Sequence, residues 1–112
     1  MGVRNFLEGR LEIYHSGRWG TVCGDYFSSA DARVVCRQLG LEVETSVAIV
    51  NPYGDGSGYI WMDDVRCVGT ESSLSECEHA GWAVHNCDHR QDAAVTCIEG
   101  NSSSSILCNT KT

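Results

Sequence analysis

The fold is decided by residues 17–23, which read GRWGTVC, and by the alternating residues in front of them. Residues 9–15 read GRLEIYH, in which apolar Leu11 and Ile13 alternate with polar neighbours. A period of two is typical of a strand with one buried face. A Ser-Gly turn then separates this strand from a second extended run. Residues 9–23 are therefore predicted to form a β-hairpin.

One amphipathic helix is predicted after the hairpin, over residues 30–39. Ser28 followed three residues later by Asp31 has the spacing of a capping box, and Gly40 stands where helices commonly end in a left-handed cap. The apolar residues between them recur at the spacing of a single helical face: Ala32, Val35, Cys36 and Leu39. Cys36 is therefore expected on the buried face of this helix.

The rest of the chain reads as short elements that end in a polar tail. The predicted elements are strands at 43–50, 59–62 and 93–97, a loop at 51–58 and a helical turn at 71–76. After residue 98 a serine-rich tract follows that cannot bury enough apolar surface to fold. We therefore expect a domain at 3–98 and a tail or linker at 99–112, in which Asn101 is a candidate N-glycosylation site.

Length and charge limit the class of function. The chain has 112 residues, enough for one domain, and its formal net charge is −7. Such an acidic chain lacks the clustered cations that binding to nucleic acid requires. It has no apolar run long enough to span a membrane, and no leader. We expect a piece of a longer extracellular protein that neither targets nucleic acid nor inserts into a membrane.

Seven cysteines stand in the chain, and no two have the CxxC spacing of a zinc knuckle. At this density, oxidised pairs in an extracellular protein are expected, because small secreted domains use disulfides to supplement a small core. Spacing alone leaves the connectivity open. Cys108 lies beyond the serine tract and is expected to be unpaired, to link another chain, or to begin a neighbouring module.

Six motifs, in order, closely resemble the scavenger receptor cysteine-rich (SRCR) domain. They are EGRLEI at 8–13, GRWGTVC at 17–23, DARVVCRQLG at 31–40, IWMDDVRC at 60–67, ESSL at 71–74 and WAVHNC at 82–87. The resemblance covers residues 3–98. It implies an α+β fold, a small disulfide-rich domain in which a curved antiparallel β-sheet cradles one α-helix.

The resemblance also implies the disulfide pairing, which is Cys23–Cys87, Cys36–Cys97 and Cys67–Cys77. An eight-cysteine subgroup of the family has a further bridge, at positions that align here with Leu7 and Leu41. The chain therefore resembles the six-cysteine type, group A.

Asp63 and Asp64 are the sharpest candidates for chemistry. They follow an apolar strand, and adjacent like charges favour a cation or a basic partner. Carboxylate and amide oxygens suit Ca²⁺. From the residues alone, an aspartate that pairs with Arg66 or caps a turn is the simpler explanation. The resemblance implies instead a weak Ca²⁺ site formed by Asp63, Asp64 and Asn86.

A second cation site of the family is only partly matched. Gly24 and Gln91 replace two of its acidic residues, which leaves Asp25 and Asp92. We expect this second site to be weak or empty.

Catalysis is not expected. Ser57 does not stand in a Gly-x-Ser-x-Gly elbow, and Cys87 is expected to be locked in a disulfide rather than to act as a thiolate nucleophile. His85 and His89 are expected to be surface or hydrogen-bonded imidazoles.

Contacts with a ligand are less clearly marked. Some relatives have ligand contact assigned to the stretch that matches residues 9–19, which we predict here as a strand mostly buried in the sheet. The cations that would meet a polyanion are Arg18, Arg66 and Arg90.

The sequence thus predicts a non-enzymatic extracellular module, in a secreted protein or the ectodomain of a receptor. It would bind polyanionic or microbial surfaces of the kind met in innate immunity, or protein ligands, with the help of Ca²⁺. The alternative is an accessory structural or regulatory domain of a mosaic extracellular enzyme, such as a protease or an amine oxidase.

Overall fold

A computed structural model describes residues 6–41 and 43–99 of the chain. The strands are β1 (Phe6–Arg10), β2 (Glu12–His15), β3 (Arg18–Val22), β4 (Val43–Val50), β5 (Tyr59–Met62) and β6 (Ala93–Glu99). The helix α1 spans Ser29–Gln38, and two short 3-10 helices span Leu74–Glu76 and His89–Gln91. The expected small α+β domain is confirmed. The predicted features at Asn101 and Cys108 lie outside the described residues.

The strands form two three-stranded sheets, in the orders β1-β6-β4 and β2-β3-β5. All pairings are antiparallel except β3 with β5, which is parallel. The predicted hairpin is β2 and β3, whose turn residues Ser16 and Gly17 have φ of 51° and 79°. Positive φ at both positions suits the tight turns whose twist matches that of a hairpin. The chain passes from one sheet to the other at buried Leu11, whose N–H donates to Ala93 O.

Helix α1 begins where the capping-box spacing predicts. The Ser28 N–H donates to Asp31 Oδ2 at 2.6 Å, which satisfies a backbone donor that the helix leaves unpaired. Beyond the helix, Gly40 has a φ of 89°, the left-handed conformation expected of a glycine at this end. Cys36 is fully buried, which confirms the predicted face.

The core lies between α1 and the two sheets. It is built by apolar side chains from the helix, the strands and the loops: Leu11, Val22, Phe27, Ala32, Val34, Val35, Trp61, Met62, Val65, Leu74, Ala93 and Val95. Leu74, from the predicted helical turn, is 1% exposed. Among the described residues no helix has the length and apolarity needed to cross a bilayer.

Three disulfides join this core, Cys23–Cys87, Cys36–Cys97 and Cys67–Cys77, in the pairing that the resemblance implies. The first two close loops of 64 and 61 residues, and the third closes one of 10. By loop-closure entropy the long bridges each stabilise the fold by about 4 kcal/mol and the short one by about 2.5 kcal/mol.

Candidate functional site

The Cys23–Cys87 disulfide brings two acidic side chains together. Carboxylate oxygens of Asp25 and Asp63 and the sulfurs of Cys23 and Cys87 all lie within 4.8 Å of one another. Asp25 follows Cys23 by two residues, and Asp63 follows the last residue of β5. The Cys23 N–H donates to Met62 O at 2.9 Å, which holds the two segments side by side.

Asp63 is 2% exposed and is held by backbone donors. Its Oδ1 accepts the Asp64 N–H at 2.8 Å, and its Oδ2 accepts the Asn86 N–H at 3.3 Å. Asp64 itself has a left-handed φ of 54°, so the backbone turns directly after Asp63. Both donors are neutral backbone N–H groups, so they supply no full positive charge beside Asp63.

The donor set at Asp25 and Asp63 fits a hard cation. In the described part of the chain, no arginine or histidine forms an ion pair with either residue. Two neighbouring carboxylates repel each other unless a positive charge lies between them, and Ca²⁺ accepts carboxylate oxygens in flexible geometry. Of the three predicted ligands, Asp63 and Asn86 lie together, whereas the Asp64 carboxylate is not one of the clustered groups.

Asp25 and Asp92, the two acids left of the expected second site, have separate partners. Asp92 is 1% exposed; its Oδ2 accepts the Gly56 N–H at 2.9 Å, and its Oδ1 lies 2.9 Å from His89 Nδ1. Asp25 Oδ1 accepts instead from Gln91 Nε2 at 3.1 Å. Asp92 therefore anchors the 51–58 loop, and Asp25 belongs to the cluster with Asp63.

His89 is a hydrogen-bonded imidazole, as expected. Its Nε2 lies 2.9 Å from Gly58 O, and its Nδ1 faces the Asp92 carboxylate. Burial of the ring opposes its positive charge, but the Gly58 carbonyl and the Asp92 carboxylate outweigh burial and raise the pKa of His89 above its ordinary value.

Arg18 and several exposed aromatic side chains lie at the end of the β2–β3 hairpin. We call Tyr14, Arg18, Trp19 and Tyr59 the hairpin tip. Tyr14 and Trp19 are cross-strand partners with ring centroids 5.2 Å apart, and they are 61% and 62% exposed. Arg18 Cζ lies 5.4 Å from the Tyr59 ring centroid, within cation–π range. The prediction that residues 9–19 are mostly buried is therefore wrong: Leu11 alone of these residues is buried, and Tyr14 and Trp19 are exposed.

Buried aromatic packing supports the hairpin tip from behind. Trp61 stacks on Tyr59 with centroids 4.7 Å apart, and its Nε1–H donates to Arg18 O at 3.0 Å. Gly20 makes room for this indole, because a Cβ at Gly20 would lie 2.5 Å from Trp61 Cδ1. On the same indole, His15 makes an edge contact at 4.9 Å. The tip is thus held in one arrangement before any ligand arrives.

The other predicted ligand-contact residues lie elsewhere. The Arg90 guanidinium donates to the Asp88 carboxylate at 2.8 and 3.2 Å; this contact raises the pKa of Arg90 and lowers that of Asp88. Arg66 is exposed, and its N–H donates to Glu78 O in a separate bridge. Cys87 is bonded to Cys23 and is therefore not a free thiol.

Sequence reasoning missed Tyr14, Trp19 and Tyr59 as exposed parts of the hairpin tip. A usable signal was present for Tyr14 and Trp19. With a two-residue turn at Ser16 and Gly17, the hairpin register puts these two rings opposite each other, on the face away from Ile13. The contribution of Tyr59 depends on the parallel pairing of β5 with β3, which local sequence does not encode.

Comparison with known proteins identifies a consistent set of relatives. The family model described as scavenger receptor cysteine-rich domain matches residues 1–98. Lysyl oxidase homolog 4 of Homo sapiens is 54% identical over 90 residues, which are 80% of this chain and 12% of that protein. The Bos taurus counterpart is 53% identical over the same shares. The chain thus spans about an eighth of the length of these relatives.

Two solved structures share the fold. The SRCR domain of mouse MARCO, in its dimeric form, has a TM-score of 0.75 and 46% identity, covering 87% of this chain and 90% of that one. The third SRCR domain of murine neurotrypsin has a TM-score of 0.72 and 43% identity, covering 80% of this chain and 84% of that one.

Proposed function

The chain belongs to the scavenger receptor cysteine-rich family, and from that premise we propose that it is an extracellular, non-catalytic recognition module that contacts anionic groups through its hairpin tip. The observation that carries the proposal is the position of Arg18. In the described part of the chain its guanidinium has no acidic partner; it lies over the Tyr59 ring, and Arg18, Trp19 and Tyr59 line one shallow depression.

This combination of side chains suits recognition of an anion on an apolar or sugar framework. Arginine presents a planar fork of donors that matches carboxylate, sulfate or phosphate oxygens. Tryptophan and tyrosine offer large faces at low conformational cost, and together with arginine they are enriched among residues that dominate binding energy. The net charge of −7 repels polyanions at long range, so the attraction has to be local.

We also propose that a cation of the Ca²⁺ type binds at Asp25 and Asp63, with Asn86 and Asp64 as neighbouring oxygen donors. Such an ion would supply positive charge beside the Cys23–Cys87 disulfide, where the protein offers only carboxylates. With two clustered acids, the affinity expected is that of weak extracellular sites, a Kd of roughly 0.1–1 mM.

Binding to immobilised heparin, used as an anionic polysaccharide probe, tests the hairpin tip. Arg18→Ala is expected to weaken binding by about tenfold, since hydrogen bonds to charged groups are worth about 1.5–3 kcal/mol. Arg33→Ala is the matched control, because Arg33 is an exposed arginine on α1. Equal losses for both variants would mean non-specific charge attraction, and no loss for Arg18→Ala would place the contact elsewhere.

The second candidate function is that of an accessory domain in an oxidase of the lysyl oxidase type. It is favoured by the 54% identity to part of lysyl oxidase homolog 4. In that setting the hairpin tip would contact a neighbouring domain. Light scattering of the chain mixed with a separately produced lysyl oxidase catalytic domain tests this: a one-to-one complex lost in Trp19→Ala supports it, and two unchanged peaks contradict it.

A further inference from the structure

We infer that His89 is a positioning residue whose imidazolium fixes the Gly58 carbonyl at the edge of the hairpin tip, so that recognition there is strongest when His89 is protonated. The effect on recognition rests on the proposed function. The structural part of the inference, that a protonated His89 holds the 51–58 loop, is independent of that function.

The geometry requires a proton on both ring nitrogens. Nδ1 lies 2.9 and 3.0 Å from the two Asp92 carboxylate oxygens, and Nε2 lies 2.9 Å from Gly58 O. An ionised carboxylate and a backbone carbonyl are acceptors only, so with Asp92 ionised each nitrogen has to donate. Neutral imidazole carries one proton and can satisfy only one of the two partners. The observed arrangement therefore corresponds to the imidazolium.

Deprotonation would act on one hydrogen bond in particular. The remaining proton stays on Nδ1, because the buried charged carboxylate of Asp92 is the stronger acceptor. The Nε2 lone pair then faces the Gly58 carbonyl oxygen at 2.9 Å. Two acceptors repel each other at this distance, which suits only a hydrogen bond. Gly58 is consequently released while the contact between His89 and Asp92 remains.

The groups around the ring favour the protonated form. Burial opposes the charge, but the Gly58 carbonyl, Asp92 directly before β6 and Asp55 in the 51–58 loop together raise the pKa of His89. From β1, Arg10 Nε approaches Asp92 Oδ2 at 3.9 Å, and this arginine is itself paired with Glu12 at 3.5 Å. On the 3-10 helix of His89, Arg90 and Asp88 neutralise each other.

Gly58 links this histidine to the hairpin tip. Together with Arg18, Trp19 and Tyr59 it lines a shallow depression on the surface. Its φ of 82° is a conformation that favours glycine, and it leads directly into Tyr59 at the start of β5. Loss of the His89 contact would therefore loosen the backbone that carries the Tyr59 ring, over which the Arg18 guanidinium lies.

Nuclear magnetic resonance on the whole chain tests the structural part without a ligand. Below the midpoint of the His89 titration, the nitrogen chemical shifts of both ring atoms should be those of protonated nitrogens. Above the midpoint, the Nε2 shift should become that of an unprotonated nitrogen. The Gly58 and Tyr59 amide chemical shifts should titrate with the same midpoint, as expected when one charge-assisted hydrogen bond to the carbonyl between them is lost. A neutral His89 at pH 6, or loop amides that do not follow its titration, would overturn the inference.

Heparin binding between pH 6 and pH 8.5, measured in EDTA, then tests the consequence. The wild-type chain should lose about fivefold in affinity over this range, His89→Gln should lose the dependence, and the matched control His85→Gln should keep it. If the amides follow His89 but heparin does not bind at any pH, the proposed function fails and the loop contact stands. Equal pH dependence in wild type and His89→Gln would overturn the positioning role.

Discussion

Asp31 and Cys67 are joined by a short hydrogen bond, in which the Cys67 N–H donates to Asp31 Oδ1 at 2.6 Å. The other carboxylate oxygen accepts the Ser28 N–H at the start of α1. Asp31 is 1% exposed, so both contacts are shielded from water. One side chain thus caps the helix and fixes the start of the loop that the Cys67–Cys77 disulfide closes.

Asp31→Asn should therefore lower the free energy of unfolding by about 2–3 kcal/mol, because the amide replaces one acceptor oxygen with a donor that faces another donor. Urea unfolding followed by circular dichroism measures the change. Glu78→Gln, at an exposed acid, is the control and should stay within about 0.5 kcal/mol of wild type. Similar stabilities for the two variants would show that the buried carboxylate is not a structural anchor.

The disulfides should differ in what they contribute. Replacing Cys36 and Cys97 by alanine removes the bridge between α1 and β6, and with it about 4 kcal/mol, a large share of the stability of a small domain. Replacing Cys67 and Cys77 opens a loop of 10 residues and should cost about 2.5 kcal/mol. Calorimetric melting under non-reducing conditions ranks the variants. If the variant without Cys36–Cys97 melts at a higher temperature than the variant without Cys67–Cys77, the loop-closure argument is contradicted.

Gly20 should be intolerant of a side chain, because its Cβ would lie 2.5 Å from Trp61 Cδ1. Gly20→Ala is expected to displace the Trp61 indole, shift the tryptophan emission and weaken heparin binding several-fold. Gly9→Ala is a matched control in β1, where a Cβ would meet nothing within 4 Å. If both variants behave like wild type, the indole does not support the hairpin tip.

Stability should fall as the pH rises through the titration of His89. Its folded pKa is raised, so its contribution is fully present below the unfolded value of about 6.5 and is lost above the folded pKa. The contribution of the Glu71 carboxyl to stability depends on pH in the opposite direction. Hydrogen bonds from the Val68 and Gly69 N–H groups lower its pKa, so its contribution is present above its unfolded value and is lost on acidification.

Urea unfolding of wild type and His89→Gln from about pH 5 to pH 9 measures the histidine contribution. The stability difference between the two should be largest at about pH 5–6 and shrink toward pH 9. A difference that stays constant over this range would show that the charge on His89 does not stabilise the fold.

Local patterns predicted what depends on local physics. The helix, its Asp31 cap and the β2–β3 hairpin follow from periodicity and turn chemistry, and each is where the sequence places it. The grouping of Asp25 with Asp63 instead of Asp92 could not be read in this way. It depends on how the Cys23–Cys87 disulfide and the parallel β5 strand bring distant segments together.

The cation cluster should respond to loss of a single charge. Calcium titration calorimetry on wild type should give a Kd of roughly 0.1–1 mM, and Asp25→Asn should weaken it several-fold. Asp55→Asn removes an exposed carboxylate outside the cluster and should leave the heat of binding unchanged. If wild type gives no heat of calcium binding, or if both variants lose the same affinity, the cluster is not a calcium site.

The most direct test of the hairpin tip as the recognition surface is a chemical-shift map of the whole chain titrated with a heparin oligosaccharide. The account predicts that the largest shifts fall on Tyr14, Arg18, Trp19 and Tyr59, and that Tyr26, an even more accessible aromatic at 82% exposure, does not move. Shifts concentrated around Arg33 or Arg66, or spread evenly over the exposed arginines, would contradict it.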